Sequence, residues 1–309
     1  MRIAILGGTS QIAKDLILSF SALNPLYDLT LFSRRPVELD KWMTLHGISK
    51  KYSSYKYEDF NNSNKFDAII NFVGIGDPGQ TATMGSSILD VTSTYDQLAL
   101  AYIKENPSCR YLFLSSGAAY GDVFNEPVTK NTKAAIPINQ LKAHDWYGVA
   151  KLYAECCHRA LSMYSIVDIR VFNYFSHTQD ISSRFLMTDI VRAIKANEVL
   201  MVGPENIIRD FFGPDDFCLL VTCILRAPPL NAVVDCYTKE PVDKFSLLEM
   251  MKSEFGLQYQ FTNEPVSVNA TGLKSQYYSK NHCAEAFGYV PTRKSLDVVR
   301  EQTRLVLQE

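Results

Sequence analysis

Short apolar and β-branched runs recur through the first 170 or so residues, and longer stretches with apolar positions three and four apart separate them. RIAIL (2–6), LTLF (29–32), AIINFV (68–73), YLFLS (111–115) and VDIRVF (167–172) read as buried strands, while 11–23, 86–106 and 146–164 carry helical spacing. Strands alternating with helices predict βαβ units with right-handed crossovers: an α/β, doubly wound parallel sheet of the Rossmann type. Such sheets bind ligands at the carboxyl ends of their strands. Beyond residue 173 the pattern loosens. A helix at 184–197 precedes VLMVGPENIIRDFFGPDDF (199–217), then come another helix, a strand-like AVVDCYT (232–238), a helix around 244–255 and short closing segments. Residues 1–173 are expected to form the sheet domain, with a return to it near 205–240. Residues 174–309 are expected to form mainly a smaller α/β lobe.

Composition narrows the class. The 309 residues are 47% hydrophobic and 21% charged with a net charge of −2, which leaves no electrostatic footprint for nucleic acid or an anionic membrane. The seven cysteines include no C-x-x-C pair, and adjacent Cys156 and Cys157 point apart on a helix. Reduced thiols in the cytoplasm are the expectation. IAIL (3–6) is too short for a signal peptide, and FCLLVTCIL (217–225) is far short of a membrane span. His46, His144, His158, His177 and His282 are scattered without ligand spacing, so no metal is expected.

Four stretches carry candidate chemistry. The first, GGTSQIA (7–13), follows a strand and opens a helix, the context of a dinucleotide-binding turn. Gly7 permits the tight turn, the helix N-terminus offers N–H groups to a pyrophosphate, and Ala13 is small enough for close helix–sheet packing. Ser10 departs from the glycine pattern: its Cβ takes room, although its hydroxyl can donate to a phosphate. The second, FSRRP (32–36), lacks the acid that holds the ribose hydroxyls of NAD. Ser33, Arg34 and Arg35 stand there instead, and a guanidinium suits a 2′-phosphate, so NADP is favoured and NAD stays open.

The third is WYGVAKLYAE (146–155), where Tyr147 and Lys151 share a helical face. A nearby ammonium favours the phenolate and makes the hydroxyl a usable proton donor or acceptor. YSSYK (52–56) repeats the spacing at Tyr52 and Lys56 and reads as an accidental copy on the surface. The fourth, FLSSGAAYG (113–121), ends a strand with two serines that can hold a substrate carbonyl oxygen beside the phenol. His144, one turn before Tyr147, reads as a residue of the helix start rather than a proton relay.

In this order the motifs resemble the extended short-chain dehydrogenase/reductases, specifically the NAD-dependent epimerase/dehydratase group typified by UDP-galactose 4-epimerase. GGTSQIA is similar to G-x-x-G-x-x-G, FLSSGAAYG to SS-x-x-x-YG, YGVAK to Y-x-x-x-K, RVFNYFS (170–176) to R-x-FN-x-x-G and RDFFGPDDF (209–217) to RDFIHVDD. TGLKSQYYSKNHCAEAFGYVP (271–291) resembles the closing segment. The resemblance implies Ser116, Tyr147 and Lys151 as catalytic. It implies cofactor contacts at Gly7, Gly8, Thr9, Ser10, Gln11, Ile12, Ser33, Arg34, Arg35, Asp59, Phe60, Phe72, Val73, Gly74, Ser115 and Phe172, with Asp59–Phe60 flanking the adenine. Substrate contacts fall at Ser116, Asn173, Arg209 and Lys274, the last two as pyrophosphate anchors. A homodimer through helix 146–164 is a family expectation.

The departures matter too. Dehydratases of the group carry Asp-Glu directly after the catalytic hydroxyl, whereas Gly117 and Ala118 follow Ser116, which disfavours water elimination. Asp90 replaces a common asparagine and Ser176 a common glycine. The leading expectation is an NADPH-dependent reductase of a nucleotide-linked 4-keto sugar, with Tyr147 as general acid. The alternative is an NAD-dependent sugar-nucleotide 4-epimerase, and a third reading is a non-catalytic dinucleotide-binding scaffold or sensor on the same fold.

Overall fold

The computed structural model describes residues 1–23, 26–74, 81, 83–263 and 274–308. Seven parallel strands form the main sheet: β1 (Arg2–Leu6), β2 (Asp28–Phe32), β3 (Ser53–Tyr55), β4 (Ala68–Asn71), β5 (Arg110–Ser116), β6 (Ile166–Val171) and β11 (Ala232–Asp235). Their order, β11-β6-β5-β4-β1-β2-β3, is Rossmann-like and doubly wound about β1. Alternation along β1 sends Ile3 and Ile5 to one face and Ala4 and Leu6 to the other.

Two layers of helices cover those faces. Helices α1 (Gln11–Ala22) and α2 (Pro36–Leu45) pack on the Ile3–Ile5 side through Ala13, Leu16, Ile17, Phe20, Leu39 and Met43. Helices α3 (Ser87–Glu105) and α4 (Trp146–Ala160) cover the other side through Ala99, Leu100, Ile103 and Ala154. After β6 the chain builds the lobe from β7 (Asn173–Tyr174), α5 (Leu186–Ala196), β8 (Val199–Val202), β9 (Ile208–Arg209) and β10 (Phe211–Phe212). It then returns to the sheet with α6 (Pro214–Arg226) and β11, where Phe217, Leu220, Val221 and Ile224 join the α1 side. The remaining elements are β12 (Val242–Asp243), α7 (Lys244–Phe255), β13 (Gln258–Phe261), β14 (Gln276–Tyr277) and α8 (Ser295–Gln308).

Several expectations change. Helix α2 was not legible because only Leu39 and Met43, one turn apart, are buried on it. YSSYK is no surface copy of the catalytic spacing: residues 53–55 are the edge strand β3, and Tyr52 is buried in the core beneath it. In an extended strand, side chains four apart do not meet as they would on a helix. Strand β4 stops at Asn71, whose Oδ1 takes the Val73 N–H at 2.9 Å. The closing stretch is not a set of short pieces but ends in the 14-residue helix α8. Among the described residues no helix is long and apolar enough to cross a membrane, and no cluster of His, Cys, Asp or Glu could hold a metal.

Candidate active site

The opening turn sits at the carboxyl end of β1. The Gly7 and Gly8 N–H groups both donate to Phe32 O, at 3.0 and 3.1 Å, which ties the turn to the end of β2. Gly7 has φ +82°, and a Cβ there would stand 2.9 Å from Val73 N, so both conformation and space demand glycine. Ser10 has an ordinary extended backbone, φ −70° and ψ 151°, and N-caps α1 by accepting from Ala13 N at 3.3 Å. Its backbone conformation therefore needs no glycine. Thr9, Gln11 and Ile12 line the half-buried start of the helix, while Ala13 is fully buried.

At the end of β2, Ser33 is fully buried and its Oγ accepts from Arg35 N at 3.2 Å. Arg35 turns along α2 to Glu38, at 3.0 Å. Arg34 is exposed. Asp59 is exposed and accepts from Lys56 N at 3.2 Å. Phe60, by contrast, packs among Phe32, Phe66 and Tyr102, and Phe72 against Phe217. Both aromatic side chains belong to the core.

The three expected catalytic residues converge at the carboxyl end of β5. Ser116 ends the strand and its Oγ accepts from Ala118 N at 3.1 Å, capping the short 3₁₀ turn 117–120. Tyr147, in the first turn of α4, meets the Ser116 hydroxyl; burial pushes its phenol up and the serine partly offsets this. Lys151 lies one turn on, buried, with Nζ donating to Leu114 O at 2.7 Å and lying 4.4 Å from the Phe113 ring centroid and 5.8 Å from that of Tyr147. Burial brings its ammonium down to about 8, against the charges of Asp96, Glu155 and Asp168. A Cβ on Gly74 would lie 3.0 Å from that ammonium, so the ends of β4 and β5 face Lys151 together.

Below this set lies a buried charged layer that the motifs did not announce. Ser115 Oγ donates to Glu155 at 2.5 Å, and Glu155 also takes the Arg170 guanidinium. His158 stands between Asp168 (2.5 Å) and Asp96 (2.8 Å), and Tyr111 OH donates to the same Asp96 oxygen at 2.7 Å. Tyr147, Lys151, Glu155 and His158 fall at turn spacing, which is the sequence signal for one polar face running down α4. His144 is exposed and pairs with Asp145 at 3.5 Å.

The segments after β6 bring the remaining expected site residues together. Asn173 Nδ2 donates to Tyr277 O at 3.2 Å, and Arg209 pairs with Tyr277 across β9 and β14. Lys274 Nζ lies 5.0 Å from the Tyr277 ring centroid and 4.7 Å from that of Phe124. Arg209 is buried, and burial draws its guanidinium down to about 10; burial also lowers Lys274. Two desolvated cations flanking one aromatic ring suit an anionic group. The Tyr277 phenol reaches the Ser116 hydroxyl and the Ala118 backbone and feels Tyr147, which joins the cation pair to the catalytic set. Sequence reasoning passed over Tyr277, although the closing motif contains it. Residues 271–273 of that motif lie outside the described residues.

Phe172 packs with Tyr277, Phe124 and Tyr120, so its ring also belongs to an aromatic cluster. That ring explains Gly117: a Cβ there would stand 2.4 Å from Phe172 Cδ1, leaving no room for a side chain after Ser116. Asp210 and Asp216 of RDFFGPDDF are structural ties. Asp210 accepts from Thr238 N at 2.9 Å and Asp216 from Thr292 N at 3.0 Å.

No curated protein matches the chain. Solved structures resemble it over its whole length. UDP-glucuronic acid 4-epimerase from Bacillus cereus, solved with UDP-glucuronic acid and NAD, has a TM-score of 0.79 at 17% identity over 100% of this chain and 99% of that one. dTDP-glucose 4,6-dehydratase from Bacillus anthracis str. Ames, with NAD, scores 0.79 at 14% identity, covering 100% and 97%. UDP-glucose 4-epimerase from Bifidobacterium longum, with NAD+ and UDP, scores 0.76 at 17% identity, covering 100% and 98%. At these identities the likeness establishes the fold. A family match extends over residues 3–234, from the first strand through β11. The chain therefore belongs to the NAD-dependent epimerase/dehydratase family, enzymes of the extended short-chain dehydrogenase/reductase type.

Proposed function

We propose that the protein is a sugar-nucleotide 4-epimerase that works with NAD. The observation that carries this reading is the meeting of Ser116, Tyr147 and Lys151 with buried Arg209 and half-buried Lys274 around Tyr277. Relatives of the same fold, bound to NAD and UDP or a UDP-sugar, support the choice over the reductase expected from FSRRP.

The residues at the turn fit a dinucleotide. Gly7 lets the chain turn tightly against Val73, and the first-turn amides of α1 that Ser10 does not cap would serve a pyrophosphate. When bound, the nicotinamide supplies the hydride acceptor and donor. Tyr147 takes the proton of the sugar 4-hydroxyl as that carbon is oxidised and returns one on reduction from the other face. Ser116 holds the same oxygen by a hydrogen bond. Lys151 keeps a positive charge beside the phenol, which favours phenolate. Arg209 and Lys274 hold the two charges of the nucleotide pyrophosphate, and Asn173 stands beside them. Water elimination is disfavoured because Gly117 and Ala118 stand directly after Ser116 in place of carboxylates, and the Phe172 ring leaves no room for a side chain at 117.

The second reading, an NADPH-dependent reductase of a nucleotide-linked 4-keto sugar, is favoured by exposed Arg34 and by Ser33 in place of an acid. Identifying the dinucleotide that copurifies separates the two. Tightly retained NAD, with interconversion of a UDP-sugar and its 4-epimer and no added cofactor, is the expected result. An empty protein that consumes NADPH with a 4-keto sugar overturns the epimerase.

A further inference from the structure

The segment after β6 carries Asn173, and a chain of side-chain hydrogen bonds ties it to α1. Gln11 Nε2 donates to Ser176 Oγ at 3.0 Å, Ser176 Oγ and Thr178 Oγ1 are 2.9 Å apart, and Thr178 Oγ1 donates to Asp15 Oδ1 at 2.6 Å. Tyr174 OH donates to the other oxygen, Asp15 Oδ2, at 2.9 Å. The chain thus starts and ends one turn apart on a single face of the helix that opens with the glycine turn.

Its polarity is forced. Thr178 gives its proton to Asp15, so it accepts from Ser176, which in turn accepts from the Gln11 amide. Asp15, 4% exposed, closes the chain as a pure acceptor on both oxygens. Tyr174 carries the link onward: in the β7–β10 pair it lies opposite Phe212, and Asn173 lies opposite Phe211. Arg209 is two residues before Phe211. Side-chain hydrogen bonds therefore tie the helix of the glycine turn to the 173–178 segment, and backbone strand pairing carries the link on to the strand next to Arg209.

We propose that Asp15 is a positioning residue: through Thr178, Ser176 and Tyr174 it clamps the 173–178 segment onto the dinucleotide helix and sets Asn173 and Arg209 in register with the cofactor turn. Ser176, which stands where the family commonly has glycine, supplies the middle link, so the clamp is a property of this chain's own side chains. The inference rests on the function proposed above.

Asp15→Asn keeps the shape but turns one acceptor into a donor, leaving the Tyr174 or the Thr178 hydroxyl without its partner. Ser176→Gly and Tyr174→Phe each remove one link and leave no new charge. Calorimetry on the full chain, with NAD as the first ligand and UDP as the probe for the second, reads the two sites separately, alongside the unfolding temperature. Loss of one buried hydrogen bond predicts UDP binding about 10-fold weaker in Asp15→Asn and Ser176→Gly, with NAD affinity changed less than about 2-fold. Should Asp15→Asn fail to fold, Ser176→Gly and Tyr174→Phe carry the test. UDP affinity unchanged in the folded variants, or both affinities falling together with the unfolding temperature, overturns the clamp. A wild-type protein that binds neither NAD nor UDP overturns the functional reading itself and the clamp with it.

Discussion

Arg209 stands directly opposite Tyr277 in the parallel β9–β14 pair, its guanidinium carbon 5.9 Å from the ring centroid. Two-residue strands contribute little stability by themselves, but this pairing joins a buried cation to a phenol that reaches Ser116. Arg209→Gln is expected to raise KM for a UDP-sugar about 10- to 100-fold, the range for losing a hydrogen bond to a charged group, and to leave kcat within a few-fold. Steady-state kinetics check it; an unchanged KM removes Arg209 from the anchor.

Tyr147 is the only phenol on α4 that meets Ser116. Tyr147→Phe keeps the ring and deletes the proton carrier. Turnover is expected to fall about 10²- to 10⁴-fold, the usual contribution of positioned acid–base catalysis, while NAD affinity stays near wild type. Full activity in this variant would sink the catalytic assignment.

Ser10 caps α1 rather than obstructing it. Ser10→Ala should cost about 1 kcal/mol of stability and Ser10→Gly only a few tenths, since glycine is tolerated at an N-cap and alanine is not. Urea unfolding of both variants decides this. Equal losses would mean that the hydroxyl is not acting as the cap.

The His158 imidazole makes stability depend on pH. Burial pulls it down, but the carboxylates of Asp168 and Asp96 outweigh that and hold it up at about 9. A base whose pKa rises on folding stabilises fully below its unfolded value, about 6.5, and the contribution fades as pH passes through the folded value. That difference is worth about 3 kcal/mol. Lys151, drawn down to about 8, acts with the opposite sign between 8 and its ordinary 10.5, so a raw pH profile mixes the two. The stability advantage of wild type over His158→Gln, from urea midpoints at pH 6 and pH 9.5, isolates the histidine and is expected to shrink at the higher pH. A constant advantage contradicts the imidazolium.

The sequence alone determined the parallel sheet, because β1, β4, β5 and β6 are nearly continuous apolar runs buried on both faces. It also placed Gly7, Ser116, Tyr147 and Lys151, since each belongs to a short motif whose spacing follows directly from one strand end or one helical turn. Tertiary structure decided what depends on residues distant in the chain. Tyr52 went to the core and not the surface because β3 joins the sheet edge. Phe60, Phe72 and Phe172 went to aromatic clusters because their neighbours come from other elements. Arg35 found Glu38 only once α2 formed. Tyr277 reached Ser116, 161 positions before it, and Asp15 reached Thr178, through pairings that no local pattern encodes. Local periodicity reports which face of an element is buried; which side chain fills that face is set by the packing of the whole chain.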